Sequence, residues 1–144
     1  MTVHIIAAKP RVLVVEDEPS VRRITRSILE HGGYEVLEAV DGAEALERLA
    51  ADHDAIDLVL ADVHMPRVDG VTLASQVARH WHSLPMLLMS ARAADARDAL
   101  RDRGLTMEVI EKPFRLAVIL DAVAEALGGP RRARPSEGRH SAAA

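Results

Sequence analysis

Cysteine is absent from this 144-residue chain. That excludes disulfides, thiolate metal sites and a cysteine nucleophile, and it suits a reducing compartment, so a cytoplasmic location is expected. Aromatic residues are scarce: one Trp, one Tyr and one Phe, 2% of the sequence. A core must therefore be built from Val, Leu, Ile, Ala and Met. No apolar run approaches the roughly 20 residues of a membrane span. The opening "MTVHIIAAKP" lacks the basic start and the apolar length of a signal peptide. Net charge is −4, unevenly placed: residues 128–144 hold four arginines against Glu137, which leaves −7 on residues 1–127. A domain of that sign is a poor nucleic-acid ligand by its bulk field, so no direct nucleic-acid and no membrane partner is expected.

What is present is enough for one packed domain, with 49% hydrophobic and 28% charged residues. Three continuous apolar runs stand out: Val12–Val15, Leu58–Ala61 and Met86–Met89. Such runs are expected where helices cover both faces of a parallel sheet. Tyr34–Ala39 alternates more, as an edge strand does, and Val109-Ile110 reads as a short fifth strand. Helical stripes fill the gaps. Val21, Ile24, Ile28 and Leu29 form the first, opened by Pro19 and closed by Gly32-Gly33. Ala43, Leu46, Leu49 and Ala50 form a second, and Val71, Ala74, Ala78 and Trp81 a third. Asp95–Arg103 is a weaker, charged fourth. Leu116, Ile119, Leu120, Val123 and Leu127 form the fifth. The alternation predicts an α/β fold, (βα)5, with right-handed crossovers. After Leu127 the sequence turns to "GGPRRARPSEGRHSAAA", read as a disordered basic tail. The expected division is an N-terminal extension over 1–9, a domain over 10–127 and the tail over 128–144. Seventeen residues are too few for a DNA-binding output unit.

In an open parallel sheet, ligands sit beyond the carboxyl ends of the strands, so the last residue of each strand matters most. The first strand ends in Glu16-Asp17-Glu18, the third in Asp62, the fourth in Ser90-Ala91 and the fifth in Glu111-Lys112-Pro113. One acid at a strand end is often just the cap of the next helix. Three acids from neighbouring strands repel one another, and a hard divalent cation resolves this. Mg2+, which favours one or two carboxylates with waters and phosphate oxygens, is the expected metal. Lys112 can hold a phosphate oxygen, or simply bridge to Asp62 or Asp17; the Lys-Pro bond also invites a cis peptide. Ser90 offers a hydroxyl donor. Asp62, ionised at neutral pH, is then a carboxylate nucleophile whose attack on phosphorus gives an aspartyl phosphate. The protein's part in such chemistry is position and positive charge.

Four segments in register, "VLVVEDEP", "LVLADVHMPRVDG", "LLMSAR" and "EKPF", resemble the response-regulator receiver domains of two-component signalling. The resemblance covers about residues 10–127. It implies a flavodoxin-like doubly wound sheet of order 2-1-3-4-5. It implies Asp62 as phosphoacceptor in a histidine-to-aspartate phosphorelay. Asp17, Asp62 and the backbone carbonyl of His64 would ligate Mg2+ directly, with Glu16 acting through water. Lys112 and Ser90 would contact the phosphoryl group. The partners it implies are a sensor histidine kinase or a histidine phosphotransfer protein, and a downstream protein target that the sequence does not name. Like other receivers, it would promote its own phosphorylation and dephosphorylation without turning over a separate substrate. His64 and Arg92 would flank the path of an attacking water, with Arg92 expected to slow hydrolysis. Two positions depart from the family's habit: Ser90 where threonine is common, and Val109 where an aromatic often swings inward.

A phosphatase of the haloacid dehalogenase type also uses a strand-end aspartate, but it wants a second acid two residues on, where this chain has His64. A nucleotide or flavin module wants glycines after the first strand, where this chain has "EDEP". A pseudo-receiver that never takes phosphate usually loses the acids or the lysine, and this chain keeps them. A receiver excised from a hybrid histidine kinase stays open as an alternative. His80 and His82 look like a metal pair, but their spacing points the rings apart.

Overall fold

The computed structural model describes residues 8–128. The expected extension and tail therefore lie outside the described residues, except for Ala8, Lys9 and Gly128. The elements run β1 Arg11–Val15, α1 Pro19–His31, β2 Glu35–Ala39, α2 Gly42–Asp52, β3 Leu58–Asp62, α3 Gly70–His80, β4 Met86–Ser90, α4 Ala93–Asp102, β5 Val109–Glu111 and α5 Leu116–Ala126. A 3-10 turn at His53–Ala55, which the sequence did not announce, follows α2.

The five strands form one parallel sheet in the order β2-β1-β3-β4-β5. The more alternating strand, β2, is at an edge, and β1, β3 and β4, which carry the continuous apolar runs, are interior. Alternate side chains along them feed two cores. Val12, Val14, Leu58, Leu60, Leu87 and Met89 pack on one face with Leu29 of α1 and Ile119 and Val123 of α5. Leu13, Val15, Val59, Ala61 and Leu88 pack on the other with α2, α3 and α4. This is the doubly wound arrangement that continuous apolar strands require, since neither sheet face meets water.

Three stripe positions differ from expectation. Ile24 is 60% exposed, and the buried residue beside it is Thr25. The hydroxyl of Thr25 donates to the Val21 carbonyl at 2.8 Å, so a polar side chain is satisfied where an isoleucine was expected. Ala50 is exposed, its place on the buried face taken by Ala45. Leu116, at the first turn of α5, is 49% exposed. Helix α4 begins at Ala93, two residues before the charged stretch that suggested it.

Candidate functional site

The register of the sheet assembles the site. Val15 pairs with Ala61, so the next residues, Glu16 and Asp62, leave β1 and β3 side by side. Asp62 is level with Met89, and Ser90 with Glu111, which brings Ser90 and then Lys112 to the same rim. The Lys112 N–H donates to the Ser90 carbonyl at 2.9 Å, and the Lys112–Pro113 peptide is cis.

Glu16, Asp62 and Ser90 are buried, Lys112 is partly buried and Asp17 is exposed. Carboxylate oxygens of Glu16, Asp17 and Asp62 lie within 4.8 Å of one another. Lys112 Nζ stands 3.2 Å from Glu16 Oε1 and 3.3 Å from Asp62 Oδ1. The lysine thus rests on Asp62 as one reading of the sequence had it, but its second partner is Glu16 rather than Asp17. Burial pushes the Glu16 carboxyl up to about 7, the Asp62 charge adds to the rise, and Lys112 works against it. Three crowded acids facing one ammonium form a hard-oxygen donor set with charge to spare, and this fits Mg2+.

The surrounding loops are tied down. The β1–α1 loop is held from α1, where Arg22 Nη1 donates to the Glu16 carbonyl at 2.8 Å while Arg22 Nε pairs with Glu38 of β2 at 2.8 Å. The β3–α3 loop carries exposed His64 next to Asp62. At its far end Asp69 caps α3 through the Thr72 N–H at 2.7 Å, and the Gly70 N–H returns to the Val63 carbonyl at 2.8 Å. In the middle, the Arg67 guanidinium pairs with Asp41, at the start of α2. Neither Arg22 nor Arg67 was signalled by the sequence, because their partners lie 16 and 26 residues away.

Ser90 Oγ accepts the Arg92 N–H at 2.9 Å, and the Arg92 side chain pairs with Asp95 at 3.0 Å. Val109 is buried in the sheet. His80 lies away from this rim, at the opposite end of the sheet. There it and His53 flank Trp81, with ring centroids 5.6 and 5.9 Å from the indole. A cavity of about 520 Å3 opens beside them, lined by His53, His80, Trp81, His82 and Leu84. Its size does not make it the reacting site, since it holds none of the converging strand-end acids.

The model of the response regulator receiver domain family matches residues 12–124. The chain belongs to that family. The receiver is 38% identical over 135 residues to the response regulator MprA of Mycolicibacterium vanbaalenii, covering 93% of this chain and 56% of that protein. It thus spans a little over half the length of the curated relatives it matches. Among solved structures it resembles the non-phosphorylated HemR receiver domain of Leptospira biflexa, with 31% identity, a TM-score of 0.72, and coverage of 88% of this chain and 100% of that one. It also resembles the response regulator TrrA of Thermotoga maritima in complex with Mg2+ and BeF, with 28% identity, a TM-score of 0.73, and coverage of 81% and 98%.

Proposed function

We propose that this receiver accepts a phosphoryl group on Asp62 from the phosphohistidine of a sensor kinase or a histidine phosphotransfer protein, and that the product alters its surface for a downstream protein partner in the cytoplasm. The observation that carries the reading is the convergence on Asp62 of Lys112, at 3.3 Å, and of the Glu16 and Asp17 carboxylates. An Asp62 carboxylate oxygen attacks phosphorus, the phosphorus–nitrogen bond of the donor breaks, and the histidine leaves. The sheet holds the nucleophile still, so little ordering remains for the reaction itself. Lys112 gives up Glu16 and takes a phosphoryl oxygen. Ser90 already accepts from the Arg92 N–H, which leaves its own O–H to donate to a second phosphoryl oxygen. Mg2+ would be held by Asp17, Asp62 and the His64 carbonyl, with Glu16 through water, and when bound it would supply positive charge opposite the transferring group. No separate substrate is turned over.

Intact-protein mass after treatment with acetyl phosphate and Mg2+ tests this. The wild type should gain one phosphoryl group and Asp62→Asn none. A full gain in Asp62→Asn would overturn the assignment, and no gain in the wild type would favour a receiver fold that only binds. Calorimetric titration with Mg2+ should show a larger loss for Asp17→Ala than for Glu16→Ala, as direct ligation outweighs contact through water; the reverse order would exchange their roles.

A further inference from the structure

Arg67 is the one non-glycine residue with a positive φ, 65°, among the described residues. That region crowds the Cβ of any L residue, so something outside the backbone must hold it there. The holder is Asp41. Both Nε, at 3.0 Å, and Nη2 of Arg67 donate to Asp41 Oδ2. The other carboxylate oxygen, Oδ1, is occupied by the Glu44 N–H at 2.8 Å and caps α2. Asp41 is therefore fixed to a helix on one side and grips the β3–α3 loop with the other. The Glu44 N–H first and Arg67 second hold its carboxyl below the usual carboxylate range, so the grip keeps its charge at neutral pH.

The two segments also meet through their backbones. A Cβ at Gly42 would collide with the Val68 carbonyl and stand 2.8 Å from Val68 Cβ. Loop and turn fit only because position 42 is bare. Arg67 itself is 64% exposed against 10% for Asp41. The guanidinium side of the pair is open to water and screened, while the buried Asp41 carboxylate still has the Glu44 N–H, so losing the guanidinium costs little global stability. What it does control is local: the loop is anchored at Asp62 and at Gly70, and Arg67 is the clamp between them, three residues beyond His64.

We infer that the Asp41–Arg67 pair is a positioning clamp that holds the His64–Pro66 backbone against the Asp62 site and thereby sets Mg2+ affinity and the rate of phosphoryl uptake. The inference rests on the proposed role of Asp62 and adds Asp41 and Arg67 as residues that act through the loop without touching the phosphoryl group.

Three variants test it. Arg67→Gly frees the backbone from its crowded φ and removes the pair. Asp41→Asn keeps an oxygen for the Glu44 N–H and removes the charge. Arg67→Lys keeps a cation but loses the two-pronged grip. Amide hydrogen exchange of residues 64–68, calorimetric Mg2+ affinity, phosphorylation rate with acetyl phosphate and thermal midpoint are measured for each. Arg67→Gly and Asp41→Asn should exchange faster in the loop, bind Mg2+ more weakly and phosphorylate about fivefold more slowly, with midpoints lowered only slightly, since Arg67 is exposed and position 41 keeps an acceptor for the Glu44 N–H in both. Arg67→Lys should recover part of the rate. Mg2+ affinity and rate within about twofold of wild type in both variants would overturn the clamp. If the wild type takes no phosphoryl group, the Asp62 reading fails separately, and Mg2+ affinity alone decides on the clamp: weaker binding supports it and unchanged binding overturns it.

Discussion

The Lys112 ammonium lies 3.3 Å from Asp62 Oδ1 and shares itself with Glu16 at 3.2 Å. It partly neutralises the same acids that fit Mg2+. Lysine and metal would thus compete for the acids' charge, and on the proposed reading both would act on the phosphoryl group. Lys112→Met should bind Mg2+ more tightly, because two nearby cations no longer repel, yet take up phosphoryl groups at least about tenfold more slowly, since one charged donor to the transferring group is lost. Calorimetry and acetyl phosphate kinetics on the same preparation check both directions. A Lys112→Met protein that binds Mg2+ more weakly would show the lysine to be organising the acids, not opposing the metal.

Glu16 predicts a pH dependence in the metal-free protein. Its carboxyl is raised to about 7, by burial first and Asp62 second. Unfolded, the group titrates at about 4.3. Between those values the folded state holds a proton that the unfolded state has released, so folding stability declines as pH rises through the window. Thermal midpoints measured with chelator should fall from about pH 5 to about pH 8, and Glu16→Gln should flatten that slope. Parallel curves for the two proteins would remove Glu16 as the source.

Much of this architecture was legible before any coordinates. Val12–Val15, Leu58–Ala61 and Met86–Met89 are apolar on both faces, and only a sheet covered on both sides buries them, as the two cores do. Glu16 and Asp62 were legible because each directly follows such a run, with Asp17 one residue further on. Periodicity failed at Ile24 and Thr25, where a hydroxyl that bonds its own helix backbone passes for an exposed residue. It failed again at Leu116, since a stripe marks apolar residues and not which of them the neighbouring elements reach. The second partner of Lys112, the Arg22 bridge and the Asp41–Arg67 clamp depend on which loops meet in space, and no local pattern carries that.

Gly70 should prove intolerant of a side chain. A Cβ there would collide with the Asp62 carbonyl oxygen and stand 2.8 Å from Val63 Cα, both backbone atoms with no room to yield. Gly70→Ala is expected to cost about 1–3 kcal/mol, the usual range for forcing atoms into a packed site. The strain falls on Asp62, the proposed phosphoacceptor, so phosphorylation should slow even well below the melting midpoint. Urea denaturation and acetyl phosphate kinetics separate the two effects; wild-type stability would mean that α3 shifts to make room.

Arg92 rests on Asp95, with Nε 3.0 Å from Oδ2 and both side chains exposed, at 71% and 65%. An open pair of this kind contributes about 0–1 kcal/mol, so it anchors the guanidinium only weakly. A phosphoryl group on Asp62 carries more negative charge than Asp95. The Arg92 backbone is already tied to the site, since its N–H reaches Ser90 Oγ at 2.9 Å. The guanidinium should therefore leave Asp95 for the phosphoryl group and shield it from water. On that account Arg92→Ala speeds dephosphorylation several-fold, matching the ~1 kcal/mol that one exposed charged contact supplies. Asp95→Ala, which removes the competing partner, should slow it. The decay of the phosphoprotein in the wild type and both variants decides the matter. Equal half-lives in all three would mean that the guanidinium stays on solvent and Asp95, and that the lifetime is set by groups nearer the phosphorus, His64 first among them.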